Sequence, residues 1–250
     1  EEKAKSNTVN RYFIKFIEDN TKDNWRPATI KKYQTLKQHL YNYNPDLQIS
    51  DITEQFMKLY AKHQTDVLKL NNWTNKRYLV MIKEFMNWAT KPEQGYNTNL
   101  SYKDYKCNLK GTETSDVRKN IVYLNWDELI QFYNFDFSEN KRLEKIKDIF
   151  CFSCFTSLRY SDLKNLKKHD FQTDSNGKLF MSITTIKNDT PLLIELNKYS
   201  QSIYEKYKLT EGLFLFDVPS NQKYNTYIKE AAKIAGMKSK ETFIEYRGNK

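Results

Sequence analysis

Five apolar side chains near the start, Val9, Tyr12, Phe13, Phe16 and Ile17, recur at i, i+3, i+4, i+7 and i+8. A helix with one buried face is the element that fits this spacing. The pattern then returns three times. Ile30, Tyr33, Leu36, Leu40 and Tyr41 trace a second helix, opened by Pro27 and ended by Asn44-Pro45. Asp51 is expected to cap a third, with Ile52, Phe56, Leu59 and Tyr60 inward. Thr74 or Asn75 is expected to cap a fourth, with Tyr78, Ile82, Phe85, Met86 and Ala89 on one side and Lys91-Pro92 closing it. Four amphipathic stripes joined by short connections must bury one another. They predict a four-helix domain over residues 1–92.

The periodicity lapses over residues 93–120, where Asn97, Asn99, Asn108 and Gly111 mix with Thr112, Thr114 and Ser115. This reads as a linker with a short extended piece from Asn99 to Lys106. A second domain is expected over 121–250. Asn125 caps its first helix, with Asp127 and Glu128 in the first turn. The stretch from Leu143 to Phe155 becomes apolar nearly all round, so it should be a buried helix. Ser161 to Lys168 reads as a short helix. After it, Phe171, Leu179–Ile186 and Leu192–Leu196 read as three antiparallel strands. Their turns are Asp174-Ser175-Asn176-Gly177 and Asn188-Asp189-Thr190. Helices resume at Lys198–Tyr207 and Asn221–Ala235, the latter ended by Gly236. The expected fold class is mainly α with a small antiparallel sheet.

Aromatic residues make up 15% of the 250 and charged residues 29%, which excludes a disordered tail. The most apolar run, Ile149 to Phe155, is far short of the roughly 18 apolar residues of a membrane span. No secretory signal is visible and three cysteines do not make a disulfide scaffold, so a reducing cytoplasm is expected. The net charge is +10, which favours a polyanionic partner. The excess is concentrated early: 19 Lys/Arg against 12 Asp/Glu in residues 1–110, and 22 against 19 in the rest.

The segment most suggestive of chemistry is Thr156-Ser157-Leu158-Arg159-Tyr160-Ser161-Asp162-Leu163. An apolar helix runs into a break, and an arginine then stands at the start of the next helix with an acid three residues on. A guanidinium presents a planar fork of donors that matches two phosphate oxygens, and Asp162 could orient it. Spacing alone is better served by a buried Arg–Asp pair that fixes two helices. Cys151 and Cys154 form a Cys-x-x-Cys, but two ligands do not hold a zinc ion and the flanking phenylalanines indicate a buried helix.

The segment resembles the Thr-Gly-Leu-Arg-x-Ser-Glu/Asp-Leu box of the tyrosine recombinases, the phage integrase family, especially mobile-element integrases of the Bacteroidetes. Ile183 to Ile194, with Lys187 at the turn, is similar to that family's strand–lysine–turn–strand hairpin. Leu124 to Leu129 is similar to the opening of its catalytic domain, and the helical first half to its core-binding domain. Together the likeness spans residues 6–247. It implies a bacterial, cytoplasmic enzyme that breaks and rejoins DNA through a 3′-phosphotyrosine link, with no metal and no cofactor. Arg159 would bind the non-bridging oxygens, Asp162 would support the site, and Lys187 would protonate the leaving 5′-oxygen. The partners implied are double-stranded DNA and copies of the chain itself, four in the full assembly, with a monomer expected without DNA. Lys31, Lys32 and Lys37 on the second helix and Asn75, Lys76 and Arg77 at the start of the fourth are the candidate phosphate contacts.

The departures matter equally. The family has a His-x-x-Arg box and a nucleophilic tyrosine after the hairpin, yet the histidines here are His39, His63 and His169, none followed by Arg at the third position. Tyr246 precedes the place of that box and is not assigned as nucleophile. The expectation is therefore a chain truncated at its C-terminus that binds DNA without cutting it. A non-catalytic descendant that competes for sites is the rival. Ser157 stands where the family has glycine, which is a mild change if the turn there does not require positive φ.

Overall fold

The computed structural model describes residues 8–22, 25–113, 121–237 and 243–248. They fall into two compact units, residues up to Ile121 together with 243–248 in the first and the residues from Val122 to 237 in the second. Among the described residues are nine α-helices and one three-stranded sheet.

The first unit packs α1 (Val9–Lys22), α2 (Pro27–Tyr43), α3 (Glu54–Asp66) and α4 (Asn72–Ala89) around one core. Phe13, Leu36, Ile52, Tyr60, Ile82 and Phe85 are completely buried. Phe13 stacks on Phe85 with ring centroids 4.5 Å apart, and Phe16 meets Phe85 edge-on at 5.6 Å. Each such pair adds about 0.5–1.5 kcal/mol beyond its burial.

The helix starts differ from the sequence expectation. Thr53, not Asp51, caps α3 by accepting from Phe56 N, because Asp51 is used by a 3-10 turn over Ile49–Asp51. Asn71, not Thr74 or Asn75, caps α4 by accepting from Thr74 N at 2.8 Å. The helix therefore begins a turn earlier than expected. Leu59, expected inward, is 51% exposed. The stretch from Asn99 to Lys106 is not extended. It forms a 3-10 turn over Ser101–Lys103, and Tyr102 and Tyr105 are buried in the first core. Two aromatic anchors thus bind a polar-looking stretch to the helices.

The second unit is built on α6 (Lys141–Thr156), which α5 (Trp126–Asn134), α8 (Lys198–Tyr207) and α9 (Asn221–Ile234) contact. Asn125 caps α5 in a reciprocal box with Glu128. Asp148 on α6 is buried. It accepts from Lys206 Nζ at 2.7 Å and Tyr207 Oη at 2.8 Å, which fixes α8 against α6. The short α7 (Tyr160–Asn165) follows, then the sheet of β1 (Phe171–Thr173), β2 (Leu179–Thr184) and β3 (Pro191–Glu195) in the order β1-β2-β3. All pairs are antiparallel, with Phe171 opposite Met181 and Ser182 opposite Leu193.

Candidate functional site

The break after α6 is a left-handed turn. Ser157 takes φ 58° and ψ 21°, so the position does require positive φ and the serine is strained there. The turn is held from both sides. Thr156 Oγ1 donates to Phe152 O at 2.7 Å, Ser153 Oγ donates to Leu158 O at 2.8 Å, and Leu158 is buried. The chain leaves the turn with Arg159 in extended conformation, as the residue that precedes α7. The Tyr160 hydroxyl donates to Pro219 O at 2.8 Å and anchors the start of that helix. Arg159 itself is exposed.

Asp162 lies one turn further on and is 5% exposed. A buried carboxylate needs donors. Its Oδ1 accepts from Ile186 N at 2.9 Å, in the β2–β3 hairpin. That tip is a closed loop centred on Thr185, itself buried. Thr185 N donates to Thr190 O at 2.8 Å, Asp189 N donates to Thr185 O at 3.0 Å, and Thr190 N donates to Thr185 Oγ1 at 3.1 Å. Lys187 sits at the apex, exposed, one residue beyond the amide that Asp162 holds. Neither the Arg159 nor the Lys187 side chain has a hydrogen-bond or ion-pair partner among the described residues. Asp162 thus ties the segment that carries one cation to the segment that carries the other.

In the first unit, Lys32, Lys76 and Arg77 line one groove between α2 and α4, together with Thr29, Trp73 and Val80. The cavity is about 420 Å³, and Trp73 is 42% exposed. Lys31 is exposed and Lys37 half-buried, and neither lines this groove. Asn75 is a correction: it is fully buried and cannot meet a phosphate. Its amide donates to Ala61 O at 2.8 Å and Thr65 Oγ1 at 3.0 Å, and its Oδ1 accepts from Gln64 Nε2 at 3.0 Å. With the helix starting at Asn72, position 75 faces α3. Trp73 escaped the sequence reading, although an indole among Asn, Lys and Arg at a helix start was a visible signal.

Residues 8–107 match the phage integrase SAM-like domain. That stretch contains all four helices of the first unit and Lys32, Lys76 and Arg77 of the groove. No curated protein matches the chain by sequence. Among solved structures, the chain is similar to a lambda integrase dimer bound to a COC′ core site, with TM-score 0.72 and 15% identity over 96% of this chain and 84% of that one. A lambda integrase tetramer bound to a Holliday junction gives 0.73 and 14% over 96% and 70%. The Tn1549 transposon integrase in complex with a circular intermediate DNA gives 0.63 and 16% over 94% and 81%. The fold is that of the integrases, a helical core-binding domain followed by an α+β domain of the catalytic type.

Proposed function

We propose that this chain is a site-specific DNA recombinase of the tyrosine class, the integrase of a mobile genetic element. Double-stranded DNA is its partner, and copies of the chain assemble on the duplex, four in the full complex, from monomers. The observation that carries the reading is the Asp162–Ile186 hydrogen bond, which joins the Arg159 segment to the hairpin apex with Lys187. Two exposed cations on segments linked in this way suit one phosphodiester.

In the reaction, a tyrosine oxygen bonds to phosphorus and the bond from phosphorus to the 5′-oxygen breaks. Charge builds on the non-bridging oxygens, where Arg159 supplies a fork of donors. The leaving 5′-oxygen takes a proton from Lys187. Attack by a second 5′-hydroxyl reverses the step on the partner duplex, so bond energy is conserved in the phosphotyrosine. No tyrosine among these 250 residues is assigned as the nucleophile, and no His-x-x-Arg box is present. These residues on their own are therefore expected to bind duplex DNA and not to cut it. The second reading is a non-catalytic DNA-binding protein of recombinase descent that competes for sites.

The test is direct. Duplex affinity measured against salt should give a slope that shrinks by about 0.9 for each phosphate contact removed. Lys32→Glu with Arg77→Glu should lower both affinity and slope. An unchanged affinity and slope would refute the groove as the DNA surface. A nicked suicide duplex should give no covalent adduct, and a stable protein–DNA adduct would overturn the expectation that these residues do not cut.

A further inference from the structure

Residues 243–248 form part of the first unit, and one buried side chain receives them. Asn72 is 1% exposed. Its Nδ2 donates to Gly248 O at 2.7 Å and its Oδ1 accepts from Gly248 N at 2.7 Å, so the amide reads both polar groups of one residue. The Asn72 backbone N–H donates to Tyr246 O at 2.8 Å, and Asn71 Nδ2 donates to Glu245 Oε1 at 2.7 Å. The seat fits closely. Gly248 has φ 62°, and a Cβ there would lie 3.2 Å from Thr65 Cγ2.

The same Asn72 amide also donates to Lys110 O at 3.0 Å. Tyr246 covers the next residue: a Cβ on Gly111 would lie 2.0 Å from its ring, so Gly111 accepts the ring only because it has no side chain. Lys110 Nζ stands 4.9 Å from the centre of that ring. Residues 110 and 111 are thus held between Asn72 and Tyr246. The two residues that follow engage Lys76. Thr112 O accepts from Lys76 Nζ at 3.2 Å, and Glu113 Oε1 lies 3.7 Å from it. Glu113 is 75% exposed. A pair that open to water contributes about 0–1 kcal/mol by itself. The lysine is therefore kept in place by whatever fixes residues 110–113: the buried Thr112, whose Oγ1 donates to Leu109 O at 2.7 Å, and the Asn72–Tyr246 seat.

We propose that residues 243–248 are an autoinhibitory strap: seated on Asn72, they hold residues 110–113 against Lys76 and withhold that cation from duplex DNA. The inference rests on the reading of the α2–α4 groove as a DNA surface. Release of the strap frees residues 110–113 and releases Lys76, which lines the groove beside Lys32 and Arg77, from Thr112 O and Glu113. Glu113, one of the two carboxylates that line the groove, leaves with the segment, while Glu84 stays.

Two variants of the 250-residue chain unseat the strap by different means. Tyr246→Ala removes a half-buried ring outside the core, and Gly248→Val places a side chain against Thr65 at positive φ. Acylation of lysines by a water-soluble ester, followed by mass spectrometry, reads Lys76 directly. Its labelling rate should rise several-fold in both variants relative to Lys31. Duplex affinity should rise with it, with a salt slope steeper by about 0.9. In a Lys76→Ala background neither variant should change affinity. Unchanged Lys76 labelling overturns the strap. So does duplex binding at the parent's level in both variants, or a gain that persists without Lys76. Failure of the DNA reading looks different, because parent and variants alike would then ignore the duplex.

Discussion

Ser157 shows how one residue can carry a cost that its sequence neighbours hide. The turn between α6 and Arg159 needs a left-handed residue, and serine adopts that conformation only under strain. Ser157→Gly should stabilise the second unit by about 1 kcal/mol, read as a higher denaturation midpoint with an unchanged slope. Asn75 carries the opposite lesson. Asn75→Ala leaves the buried Gln64 amide without its acceptor, while the Ala61 carbonyl keeps the Thr65 hydroxyl, and should destabilise the first unit by about 1–3 kcal/mol. Duplex affinity per folded molecule should not change, which separates a structural amide from a phosphate contact. His39 gives the first unit a pH dependence. Burial holds its imidazole below the usual range, and His63 adds to the effect. The unfolded chain then takes up the proton first, so the stabilisation is complete above about pH 6.5 and is lost as the pH falls through the folded value. His39→Gln should flatten the melting temperature between pH 5 and 7. A pH profile that keeps its slope in that variant would assign the dependence elsewhere.

At the scale of elements, the β2–β3 hairpin depends on a carboxylate from outside it. The ladder ends at Thr184 and Pro191, and the six residues beyond are closed by Thr185 and by Asp162. Asp162→Ala should raise amide exchange at Ile186 at least tenfold while Met181 and Ser182 in the ladder stay protected, as measured by NMR. The strands, their turns and the lysine at the apex were legible because turn chemistry is local: Asp174 accepts from its own loop, and Pro191 starts a strand at the sheet edge. The tie to Asp162 was not legible, because a bond between a side chain and a backbone amide 24 residues away leaves no period in the sequence. Helix caps were legible only in part. Asn125 met the local rule with Glu128 three residues later. At α4 three polar residues competed for one role, and the choice of Asn71 was made by which of them the tertiary structure needed buried.

Over the whole molecule the apolar residues sort into two separate cores. Phe152→Ala should cost the second core about 3–5 kcal/mol. Exchange protection should fall across α6 and α9 while α1 and α4 keep theirs. The helical character of the first half and the small sheet could both be read from periodicity. The return of residues 243–248 to the first unit could not, since Glu245, Tyr246 and Gly248 carry no pattern that names Asn72 as their receptor. The division of aromatic packing between the cores has an optical consequence. Of the four tryptophans, Trp25, Trp73 and Trp88 belong to the first unit and Trp126 to the second. Trp25 lies flat against Tyr33, whereas Trp126 is over half exposed. Indole emission is therefore a partial colour code: blue-shifted light, led by the buried Trp88, reports on the helical half, while the red edge is shared by the exposed Trp73 and Trp126.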